Sequence, residues 1–108
     1  MLEEGTYNTL VAQAFKRLLK GLDAADPDVV DVESTGEMVT VTQLKTAEKI
    51  VINTQRATRQ IWVAGKGAGI HFTYDAQGRW LDDKGKGLEL FDWVATCVEA
   101  FTGQRSPL

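Results

Sequence analysis

The segment "NTQRATRQIWV", Asn53 to Val63, decides how this chain is read. It parses as two strands joined by a short loop. Ile61 and Val63 alternate with Gln60 and Trp62, and before the loop Ile50 and Ile52 alternate with Val51 and Asn53. One face of such a pair is apolar and belongs against a core. The other carries Asn53, Gln55, Gln60 and Trp62, where Thr, Lys or Glu would keep a wet surface soluble more simply. A tryptophan facing water leaves a large apolar area wet and marks a contact surface. The amides beside it offer donors and acceptors without net charge, suited to another protein's backbone.

Outward from this pair, alternation continues in short runs. Val30 and Val32 alternate with Asp31 and Glu33, and Val39 and Val41 with Thr40 and Thr42. With Lys49–Asn53, Arg59–Ala64, Ile70–Tyr74 and Arg79–Leu81 they make about six strands. The linkers are too short for crossover helices, so the strands pair as antiparallel hairpins. Both ends of the chain are helical instead. Tyr7, Leu10, Val11, Ala14, Phe15, Leu18, Leu19 and Leu22 form one apolar stripe, with Gly21 and Pro27 read as its end. Leu88, Phe91, Val94, Ala95, Val98 and Phe101 form another. The expected fold is a two-layer α+β sandwich, both terminal helices on one face of the sheet and the other face wet. All 108 residues are read as one domain.

Composition excludes several functions. Hydrophobic content of 44% and charged content of 25% are those of a globular protein, and no apolar run is long enough to span a bilayer. The N-terminus lacks a secretory pattern, so a bacterial cytoplasmic protein without membrane contact is expected, although a processed organellar chain would read the same. The single cysteine, Cys97, permits no internal disulfide or cysteine cluster and reads as a buried small hydrophobe. Hydrolase chemistry has no support: the only serines are Ser34, in a turn, and Ser106, in the tail. "GKGAG" at 65–69 leads into a strand, so it reads as a hairpin turn and not a phosphate loop.

The net charge of −3 hides a segregation. Residues 1–37 hold eight acids against three bases, residues 38–81 two against six, and residues 82–108 five against three. Within the acidic first part, Asp23, Asp26, Asp28, Asp31 and Glu33 follow the first helix, and Glu3 and Glu4 precede it. Asp31 and Glu33, two apart on a strand, project from one side roughly 7 Å apart. Such carboxylates attract hard, oxygen-preferring cations, but without His or Cys anchors they form no closed site. The ordinary alternative is a solvated loop and an edge strand protected by charge.

The run from "KIVINTQ" through "RQIWVAGKGAGIHF" to "RWLDD", with the helix–strands–helix order, resembles the frataxin family in its bacterial form. The resemblance implies the same sandwich and a non-enzymatic role in iron–sulfur cluster assembly, as iron-binding regulator or iron donor. It implies binding to the cysteine desulfurase and the scaffold protein through Asn53, Gln55, Gln60 and Trp62; a monomer is expected, and the net negative charge argues against nucleic acid as a partner. Iron, Fe2+ or Fe3+, would bind weakly along Glu3, Glu4, Asp23, Asp26, Asp28, Asp31 and Glu33. One departure matters: the wet side of helix one carries Lys16, Arg17 and Lys20 where the family has acids, which should weaken cation binding. Two other classes compete. A ferroxidase would need fixed carboxylates near His71, and a single-stranded nucleic-acid binder would stack bases on Trp62 beside Arg56, Arg59 and Lys66.

Overall fold

In a computed structural model describing residues 2–108, six strands pair in sequence order into one antiparallel meander. They are β1 (Val30–Ser34), β2 (Met38–Gln43), β3 (Lys49–Gln55), β4 (Gln60–Gly65), β5 (Ala68–Tyr74) and β6 (Trp80–Asp82), flanked by helices α1 (Glu4–Leu22) and α2 (Leu90–Thr102). The helices share one face, because alternation on every strand sends its apolar set the same way. Val39, Val41, Ile50, Ile52, Ile61, Val63 and Phe72 are all buried against Tyr7, Leu18, Leu22, Leu90, Val94 and Val98. Each such aliphatic side chain contributes about 1.5–3 kcal/mol. A one-residue slip of β4 would exchange Ile61 and Val63 for Gln60 and Trp62 in that layer, so the register is fixed by burial.

Local differences from the sequence reading have identifiable causes. The β4–β5 turn is only Lys66 and Gly67, at φ 52° and 71°, a tight hairpin geometry that lets β5 begin at Ala68 instead of Ile70. β3 runs on to Gln55, and "RAT" forms a single 3-10 turn ending at Arg59 in the left-handed region (φ 55°). Leu88 lies ahead of the last helix, not on it: the Glu89 carboxylate accepts the N–H groups of Phe91 and Asp92 at 3.0 and 2.9 Å and sets the start at Leu90. Gly21 does not end α1 but sits within it, buried, where the tail crosses. A Cβ there would lie 2.2 Å from Leu108 Cδ2 and 2.9 Å from the Pro107 carbonyl oxygen.

Candidate functional site

The register lays side chains across the outer face in rows. Met38 opposes Asn53, Asn53 opposes Trp62, and Trp62 opposes His71, so four strands present one continuous line. Trp62 is partly covered from within its own face, not fully exposed as expected. Its indole lies over Gly69, whose added Cβ would be 3.0 Å from Nε1, and its ring centroid is 6.4 Å from that of His71. A flat, propped indole is already ordered, which lowers the entropy cost of using it in a contact.

The next row holds Gln55, Gln60 and Thr73. The Gln60 amide is not free: it donates to Thr73 Oγ1 at 3.1 Å and to Asp83 Oδ2 at 3.2 Å. Its backbone carbonyl accepts the buried Tyr7 hydroxyl at 2.6 Å, tying the sheet to α1; burial pushes that phenol's pKa up. Gln60 therefore fixes the strand corner, while Asn53 and Gln55 side chains, partly exposed, take no side-chain partner among the described residues.

The acidic residues are spread along a different flank. Glu3 precedes α1 as its N-cap, Glu4 is in the first turn and Asp23 is the C-cap. The Asp26 carboxylate accepts the Asp28 N–H at 2.9 Å, which shapes the turn into β1. Asp31 and Glu33 are on the outer face of β1, opposite Thr42 and Thr40. All seven are exposed, and among the described residues no three His, Cys, Asp or Glu side chains converge as metal ligands. This set fits a hydrated, loosely held cation and not a chelated one.

Arg17 is exposed on the wet side of α1, as expected, and also has a structural role. It donates to the Leu108 carbonyl at 2.8 Å and stacks 3.8 Å above the Phe91 ring, so it clamps the tail to both helices. Lys16 and Lys20 are exposed beside it. Glu37, in the β1–β2 turn, is held by Arg56 at 2.5 Å and by Thr54 at 2.6 Å, and the Arg56 bond keeps its carboxyl below the ordinary range. Arg56 also bonds Asn8 of α1. It latches the β3–β4 corner and is not an open cation for nucleic acid.

Two residues were not placed with the docking or acidic sets from sequence. His71 completes the Trp62 row; its alternation with Ile70 and Phe72 carried the signal. Asp82 is buried and accepts the N–H groups of Lys84, Lys86 and Leu88 at 3.2, 2.8 and 2.8 Å. These bonds, that from Lys86 foremost, lower its pKa. Cys97 is fully buried beside Gly65, and burial pushes its thiol up to about 11.

Comparison with known proteins places this geometry. Residues 1–104 match the frataxin-like domain. The iron-sulfur cluster assembly protein CyaY of Tolumonas auensis is 30% identical over 107 residues, covering 99% of each chain. That of Pseudomonas fluorescens is 31% identical over 103 residues, covering 94% of this chain and 91% of its own. Frataxin from Psychromonas ingrahamii superposes with a TM-score of 0.84 at 22% identity, over 97% of this chain and 96% of that one. Trimeric frataxin from the yeast Saccharomyces cerevisiae, in a ferrous complex, superposes at 0.67 and 23%, over 96% and 89%.

Proposed function

The chain belongs to the frataxin-like family, and on that premise we propose that it is a non-enzymatic component of iron–sulfur cluster assembly. It acts by docking the outer face of its sheet on the cysteine desulfurase and the scaffold protein, in the bacterial cytoplasm. The observation that carries this reading is the line Asn53–Trp62–His71, with its indole propped over Gly69 on the face away from the helices. It combines a preordered aromatic anchor with uncharged polar neighbours, the composition of an interface centre. The names of the relatives, iron-sulfur cluster assembly proteins, support the process.

Iron enters as cargo. Asp23, Asp26, Asp28, Asp31 and Glu33 form a diffuse negative flank that raises the local concentration of Fe2+ without chelating it. Lys16 and Lys20 keep that attraction weak. Ferroxidase chemistry has less support: His71 on β5 is four strand spacings, about 19 Å, from β1.

The test is binding of the purified chain to immobilised cysteine desulfurase, wild type against Trp62→Ala, with thermal melting of both. Loss of an interface anchor costs at least about 2 kcal/mol, roughly a 30-fold weaker complex, while an outward residue leaves the core in place. A variant that binds like wild type, or that unfolds, overturns the assignment.

A further inference from the structure

The far edge of the sheet carries the opposite sign to the β1 flank and is incompletely paired. β5 has seven residues but β6 only three, matched at Phe72–Asp82, Thr73–Leu81 and Tyr74–Trp80. The Asp83 N–H extends the pairing by one bond, to the His71 carbonyl at 2.9 Å. Gly69, two residues further, turns its N–H and C=O to the same side, and among the described residues nothing bonds them there. Beside this open stretch is a cavity of about 90 Å³ lined by Gly69, Ile70, His71, Asp83, Lys84 and Lys86. The His71 Nδ1 is buried without a partner.

Charge decides what fits. Lys84 and Lys86 are exposed on the loop, and Lys66 is exposed on the turn that ends the same edge. Of the two nearby aspartates only Asp83 is exposed, and Lys66, Lys84 and Lys86 outnumber them. The Asp82 carboxylate is occupied by the three loop amides, and Asp83 receives the Gln60 amide. We propose that this corner receives an extended acidic segment of a partner protein, which adds as a short strand along Ala68–Ile70 with its carboxylates on Lys84 and Lys86. Edge lysines deter pairing with neutral or basic strands; an acidic strand is the class they attract, and backbone bonds at a sheet edge supply the remaining affinity. The proposal rests on the docking reading above only for which protein carries the segment.

The full chain, 15N-labelled, is titrated with a peptide of about six residues alternating Glu and Val, with its Lys–Val counterpart, and with oligothymidylate. The acidic peptide is expected to shift the amides of Gly69, Ile70, His71 and residues 84–87. Lys84→Glu with Lys86→Glu weakens that response about tenfold or more, while Lys16→Glu with Lys20→Glu, an equal change in net charge on α1, leaves it intact. Equal loss in both double variants, no localised shift, or a stronger response to oligothymidylate overturns the proposal. No desulfurase is present, so failure here leaves the docking face standing, and failure of Trp62→Ala to weaken desulfurase binding leaves this corner standing.

Discussion

The Trp62 indole rests on Gly69, with only 3.0 Å between its Nε1 and the position a Cβ would take there. Gly69 has ordinary extended backbone, so alanine suits the strand but lifts the indole by a few tenths of an ångström. Gly69→Ala is expected to change the melting temperature little and to weaken desulfurase binding several-fold. Titration of the two proteins, with melts alongside, checks it; unchanged affinity would mean that the prop is incidental.

Gly21 faces a different competition. Alanine is worth about 1 kcal/mol over glycine in a helix interior. Here its methyl would meet the Leu108 side chain and the Pro107 carbonyl. Displacing the tail also strips the Arg17 bond to Leu108. Gly21→Ala is expected to lose a net 1 kcal/mol or about that, a melting temperature lower by several degrees. A stabilised variant would show that the tail moves aside freely.

Asp82 links the β6–α2 loop to pH. Its folded pKa is depressed by the loop amides. Its contribution is therefore present in full above the ordinary carboxyl value, near 3.9, and is lost as pH falls through the lower folded value. Asp82→Asn removes the charge-assisted bonds, costs roughly 2 kcal/mol at neutral pH and flattens that acid limb. Denaturant melts from neutral pH to about 3 measure both; parallel curves would contradict the assignment.

Iron binding is expected to be weak and strengthened by removing the lysines beside the acidic flank. Anaerobic Fe(II) calorimetry should show Lys16→Glu with Lys20→Glu tightening binding about fivefold or more. Asp31→Asn with Glu33→Gln should loosen it. Several ions bound at micromolar affinity by the unaltered chain would contradict this.

The Cys97 thiol, fully buried and shifted to about 11, should resist thiol reagents at pH 8 in the folded chain and react once denaturant is added. Rapid native labelling would contradict that burial.

Alternation and short linkers made the sandwich legible in the sequence, since local periodicity is set by which face is buried. Ile61 and Val63 inward put Trp62 and Gln60 outward by alternation alone. What sequence did not carry were contacts between distant segments. Arg17 reads correctly as a surface cation, but its hold on the tail appears only once the tail is seen to cross α1, and Gly21 reads as a helix stop for the same reason. Gln60 reads as a free amide until Thr73 and Asp83 are brought beside it. The acidic residues were legible as a group, but not their dispersal from Glu3 to Glu33.

The most direct measurement is cross-saturation NMR of the labelled chain in complex with unlabelled cysteine desulfurase. Signal loss centred on Asn53, Trp62 and His71 is the predicted result. Loss centred on the outer surfaces of α1 and α2, with those three untouched, would contradict it.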